Sequence, residues 1–167
     1  GQLDRATFLR MALGAALLAL VPGFYIWSVA GPVPLLFALG GLLMGYSYTG
    51  PPLRLKHRGL GEPVVFLAFG PLLMGGAAWA LTGGWPADVV WLSLPVGAAT
   101  MAVLVGDNLR DLEEDREGGI RTLVMVLGRK QARRLYVLLV VGSALGAALL
   151  AAFGLIPLAG VRAPLAL

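Results

Sequence analysis

The sequence predicts an all-α protein, a polytopic transmembrane helical bundle, and three observations carry that prediction. Hydrophobic residues make up 58% of the 167 and charged residues only 13%, a balance outside the range of soluble domains. The apolar residues gather into about five runs, each near the ~20 residues that cross a hydrocarbon core. The charges between those runs fall almost wholly on one side. The chain reads as a single domain over 1–167.

The first run, Phe8 to Val29, lacks the basic leader and small-residue cleavage pattern of a signal peptide and so predicts a span. The second is Val33 to Thr49, ended by the consecutive prolines 51 and 52. Val64 to Leu81 and Val89 to Gly106 give the third and fourth, and Leu135 to Leu155 the fifth. Residues 157–167 read as a loop and the opening of a further segment. Pro22, Pro71 and Pro95 lie inside spans and predict bends, because each removes a backbone donor and clashes with the preceding turn. Gly41-x-x-x-Gly45 and Gly142-x-x-x-Gly146 place bare backbone one turn apart, an invitation to close packing within the bundle.

Numbered alternately, the spans put the N-terminal segment, the 50–63 loop and the 107–134 loop on one side, with twelve of the thirteen Lys and Arg residues. The positive-inside rule makes that side cytoplasmic, which predicts an integral protein of a bacterial inner membrane. The net charge of +4 therefore reflects topology, and no basic, aromatic-interleaved soluble segment exists to bind nucleic acid. Cysteine is absent and His57 is the only histidine, which argues against a zinc site and leaves His57 as a loop residue.

Six of the nine acidic residues lie between 107 and 117, directly after the fourth run. On a helix Asp107, Asp111 and Asp115 recur at i, i+4 and i+8 and so share a face, where like charges repel unless a cation sits among them. Mg²⁺ takes one or two carboxylates and completes its shell with water and phosphate oxygens, so the row reads as a magnesium-diphosphate site. The competing reading is a solvated helix end whose acids are answered by Arg110, Arg116 and Arg121. On the same side, the stiff Pro51-Pro52 turn presents Arg54 and Lys56, cations suited to the remaining diphosphate oxygens. Alone, that loop would pass as an ordinary positive-inside loop.

Together these segments resemble the UbiA superfamily of intramembrane aromatic prenyltransferases. Tyr48-Thr49-Gly50-Pro51-Pro52-Leu53-Arg54-Leu55-Lys56 is similar to its Tyr-x-x-Pro-Pro-x-x-x-Lys loop, and Asp107-Asn108-Leu109-Arg110-Asp111-Leu112-Glu113-Glu114-Asp115 to its second aspartate-rich motif. Within the superfamily, the 107–115 block with Gly119-Ile120-Arg121-Thr122-Leu123 and Leu127-Gly128 most resembles the 1,4-dihydroxy-2-naphthoate prenyltransferases of menaquinone synthesis. Gly59-Leu60-Gly61-Glu62 and Phe69-Gly70 add to the likeness. Asp107 stands where those enzymes usually carry Asn, and Ile120 where they usually carry Lys. The family's first motif, an Asn-Asp-x-x-x-Asp-like cluster, has no counterpart here, so the chain is expected to be part of a nine-helix fold and inactive alone.

The resemblance implies a Mg²⁺-dependent transfer of a polyprenyl group from its diphosphate to an aromatic acceptor. In its terms Asp111 and Asp115 are catalytic; Asp107, Asn108, Asp111 and Asp115 hold the metal; Arg54, Lys56 and Arg110 bind diphosphate; and Tyr48 lines the substrate pocket beside an allylic cation. Other superfamily acceptors, namely homogentisate, 4-hydroxybenzoate, a chlorin or a glycerol phosphate, remain open. So does a non-catalytic or transporting membrane subunit, although the spans hold few of the deep ionisable groups that transport requires.

Overall fold

A computed structural model of the chain describes residues 4–155, and within them every regular element is helical. Helix α1 (Arg5–Ala30) turns at Gly31 into α2 (Val33–Thr49). A short 3₁₀ turn, Leu55–Arg58, leads to α3 (Gly61–Leu67), which passes through a π-turn at Ala68–Leu72 into α4 (Leu73–Thr82) as one continuous span. Helix α5 (Ala87–Arg110) follows, then the short α6 (Leu112–Glu117) and α7 (Leu123–Leu127), and the long α8 (Arg129–Ala152). Four of these spans are long and apolar enough to cross a membrane, while α2, at 17 residues, falls short of the others. The expected boundaries agree to within a few residues, except that the fifth helix begins well before Leu135, at Arg129. The expected opening of a segment after Pro157 lies outside the described residues.

The three expected bends have different fates. Pro22 and Pro95 are carried inside α1 and α5, whereas Pro71 sits in the π-turn, where widening the backbone ring accommodates the missing donor. The tight helix crossing is also elsewhere than expected. A Cβ built on Gly45 or Gly142 would meet nothing within 4 Å, and Gly41 and Gly146 make only ordinary contacts with Leu72 and Pro95. The close approach falls at Gly70 and Gly97 instead: a Cβ on Gly70 would lie 2.7 Å from the Ser93 carbonyl oxygen, and one on Gly97 2.7 Å from that of Phe66. Span α3–α4 and helix α5 therefore touch backbone to backbone, which only glycine permits.

The buried core sits at one end of the bundle, around Val105, Leu112, Val124 and Ala132, with Met101, Leu109, Met125, Leu127, Leu135 and Leu139 packed against it. These residues come from the end of α5, from α6 and α7, and from the start of α8. That small core anchors the segment carrying the acidic row. Helix α1, by contrast, buries none of its residues and keeps its apolar face outward, as a lipid-facing helix does.

Candidate functional site at the acidic end of the bundle

Helix α5 stops at Arg110 rather than running through the acidic segment, because Asp111 leaves helical geometry at φ −90°, ψ 12° before α6 begins. The break is shallow. The Asp111 amide still donates to the Asp107 carbonyl, and the Asp115 amide to that of Asp111, both at 2.9 Å. The i, i+4 relation of the row thus survives as a backbone feature, with a kink in its middle.

The side chains divide the row. Arg110 reaches Asp107 Oδ1 at 3.3 Å with Nη1 and Asp111 Oδ1 at 2.8 Å with Nε. Its hydrogen bond to Asp111 holds that carboxyl below the ordinary 3.8. Among the described residues no three carboxylate or imidazole groups converge as a ready metal cage. A single cationic side chain nevertheless spans Asp107 and Asp111, so both carboxylates lie within reach of one shared charge. That fits Mg²⁺, which uses one or two protein carboxylates and takes its other ligands from water and phosphate. Arg110, expected to bind diphosphate, is engaged by the acids themselves, as the competing surface reading anticipated.

Asn108, expected among the metal ligands, lies apart from Asp107 and Asp111. It is 8% exposed, turned into the bundle, and its Nδ2 donates to Glu62 Oε1 at 2.8 Å. One residue along a helix is a rotation of about 100°, which carries Asn108 off the face that Asp107 and Asp111 share. Asp115 is half-buried and close enough to Tyr48 for its charge to be felt there.

The basic loop comes to the same end. Tyr48 is half-buried against Gly61, where a Cβ would stand 3.1 Å from its ring. Arg58 donates through Nη2 to the Pro52 carbonyl at 3.0 Å and ties the loop across itself. Gly59, at φ +72°, turns the chain so closely over α7 that a Cβ would meet Val126 at 3.1 Å. Arg54 takes the left-handed conformation (φ 44°, ψ 52°), uncommon for a residue with a side chain. Arg54 is exposed and Lys56 half-buried, and neither forms an ion pair among the described residues, so both charges are available to an anion.

Glu62 is the residue whose part the sequence conceals. It is 1% exposed at the start of α3, and its Oε1 accepts both Asn108 Nδ2 and the Leu123 amide, the latter at 3.1 Å. It thereby satisfies one free N–H at the beginning of α7, while Thr122 accepts from the Met125 amide at 3.4 Å. A lone acid heading an apolar run is costly unless satisfied, and that was the available signal.

Comparison with known proteins identifies the family. Residues 3–167 match the model of the UbiA prenyltransferase family. The 1,4-dihydroxy-2-naphthoate octaprenyltransferase of Bacillus subtilis (strain 168) is 30% identical over 75% of this chain and 40% of its own length. UbiA prenyltransferase domain-containing protein 1 of Dictyostelium discoideum is 36% identical over 58% of this chain and 29% of its own. The 2-carboxy-1,4-naphthoquinone phytyltransferase of Synechocystis sp. is 31% identical over 60% and 33%. The chain thus spans two fifths or less of the length of these curated relatives, and no solved structure matches it. With a match over nearly its whole length, and with the basic loop and acidic row meeting at one end of a helical membrane bundle, the chain belongs to the UbiA prenyltransferase family.

Proposed function

We propose that this chain supplies the diphosphate-binding face of a prenyltransferase that moves a polyprenyl group from its diphosphate to an aromatic acceptor, 1,4-dihydroxy-2-naphthoate, in menaquinone synthesis. The observation that carries the reading is the meeting of two opposite charge sets at one end of the bundle. The unpaired Arg54 and Lys56 stand on one loop, and the Asp107–Asp115 row on the adjoining helix end. The naphthoate acceptor is supported by the similarity to the Bacillus 1,4-dihydroxy-2-naphthoate octaprenyltransferase, and a two-ring acceptor of that kind by the similarity to the Synechocystis 2-carboxy-1,4-naphthoquinone phytyltransferase.

Asp107, Asp111 and Asp115 would hold Mg²⁺, which when bound supplies charge to the departing diphosphate. Arg54 and Lys56 neutralise diphosphate oxygens the metal leaves free, and Arg110 moves from the carboxylates to the incoming anion. Tyr48, half-buried between Gly61 and the acidic end, gives the reacting carbon an aromatic face and a water-poor wall. The apolar outer faces of the helices seat the protein in a bilayer from which a polyprenyl chain enters, with the charged end toward the cytoplasm by the positive-inside rule.

The test uses the protein carrying this sequence in liposomes, with a radiolabelled polyprenyl diphosphate, Mg²⁺ and competing acceptors. Naphthoate is expected to be prenylated in preference to 4-hydroxybenzoate and homogentisate. Asp111→Asn and Asp115→Asn are each expected to lower turnover by roughly a hundredfold or more, with helix content kept. Full activity in either variant would remove the metal role, and preference for another acceptor would remove the naphthoate assignment.

A further inference from the structure

Glu62 joins three segments that are remote in sequence. Its carboxylate takes Asn108 from the end of α5 and Leu123 from the start of α7, 46 and 61 residues away, while its own backbone opens α3 directly after the basic loop. Asn108 lies between Asp107 and the Arg110–Asp111 pair, so whatever fixes Asn108 fixes the acidic row. On the other side, Gly61 sits against Tyr48 and the Lys56 backbone, and Gly59 rests on α7 at Val126. Among the described residues, Glu62 is therefore the one side chain whose hydrogen bonds link the segment that follows the loop carrying Arg54 and Lys56 to the helix end carrying the acids.

Among the described residues the carboxylate meets no cationic side chain within hydrogen-bond distance; its partners are an amide side chain and a backbone N–H. A group built to move protons or bind a ligand would present a face to the cavity, yet Glu62 is 1% exposed. Both donors converge on Oε1, and only the longer 3.3 Å branch from Leu123 uses Oε2. A glutamine can keep the Oε1 bonds. An alanine keeps none, and leaves Asn108 buried without its acceptor.

We propose that Glu62 is a positioning residue that sets the gap between the cationic loop and the acidic row, and so the fit of the prenyl diphosphate between them. The assignment rests on the prenyl-transfer reading above. A side chain that holds two halves of a binding site acts on the ligand spanning them, so the expected loss falls on the donor. Displacement of about 1 Å at such a site costs on the order of a hundredfold in rate.

The experiment has two readouts. Residues 1–167 hold no cysteine, so once any cysteine elsewhere in the protein is replaced by serine, spin labels placed through His57→Cys and Glu117→Cys, both exposed, report the loop-to-row distance without background. In Glu62→Ala that distance distribution is expected to broaden and lengthen. The KM for prenyl diphosphate should rise about tenfold and kcat fall, while the KM for the aromatic acceptor moves less than about twofold. Glu62→Gln should restore the narrow distribution and the donor KM. Unchanged distances in Glu62→Ala would overturn the latch, and an equal rise in both KM values would reduce it to a general structural role. Restored distances with activity still lost in Glu62→Gln would mean that the charge itself is required. A wild-type protein without prenyl transfer would defeat the functional reading and with it the donor effect, while the label distances would still decide the latch.

Discussion

Replacing Gly97 with alanine tests the backbone seam between α3–α4 and α5. The new Cβ would stand 2.7 Å from the Phe66 carbonyl oxygen and about 3 Å from the Phe66 ring, where ordinary contact begins at 3.4 Å. The shortfall, about 0.7 Å, is against backbone, which cannot rotate away. Either the helices separate or the phenylalanine leaves its rotamer, and overpacking of this kind costs about 1–3 kcal/mol. Alanine also favours a helix over glycine by about 1 kcal/mol, which would mask part of the loss. Gly142→Ala removes that ambiguity, since it shares the helical gain and meets nothing within 4 Å. Thermal unfolding of both variants in nanodiscs, followed by helical circular dichroism, should place Gly97→Ala below Gly142→Ala by roughly 3–10 °C. Equal melting temperatures would refute the seam. The effect should extend to the acidic end, because Gly97 and Asn108 lie about three turns apart on the stripe facing α3.

Lys56→Gln should raise the KM for prenyl diphosphate about tenfold, the loss of one charge-assisted hydrogen bond, and an unchanged KM would free Lys56 from that role. Cysteines at His57 and Gly118 should react with an impermeant reagent from one side of a sealed vesicle, and one at Ala87 only from the other; reaction of the first two from opposite sides would break the shared site. Asp111, held below its ordinary 3.8 by Arg110, stays anionic as acid is added until the pH falls through that depressed value, and any stability its charge contributes is lost there. In Arg110→Gln the carboxyl should titrate higher, back toward 3.8, in carbon-detected NMR, and no upward movement would show that Arg110 is not its partner.

The spans were legible because a bilayer imposes length and apolarity that survive any packing detail, and Arg5–Ala30 and Ala87–Arg110 enclose the runs read from hydropathy. The shared end was legible from charge. Which neighbour of Asp107 faces inward was not, since i, i+4 spacing fixes a common face without saying which face is buried. The inward turn of Asn108, whose amide nitrogen donates to Glu62, was therefore not legible. The glycine spacing misled for a related reason. Gly142-x-x-x-Gly146 reports bare backbone, but a close crossing needs bare backbone on both helices at one level, as at Gly70 and Gly97, and that coincidence is not written in either segment alone.

The π-turn at Ala68–Leu72 lets one span serve two neighbours. Phe66 of α3 and Gly70 of the turn itself pack on α5; beyond the turn, Gly75 and Gly76 of α4 press on Phe37 of α2. An extra residue in the turn acts as a phase shifter, so the two halves of the span are aimed separately. Deleting one residue there would return the span to regular α-helical register and swing one half by about 100° against the other. With Glu62 held at its place, the far half would lose its seat on α2, and the charged end would remain attached to a span that no longer fits its bundle.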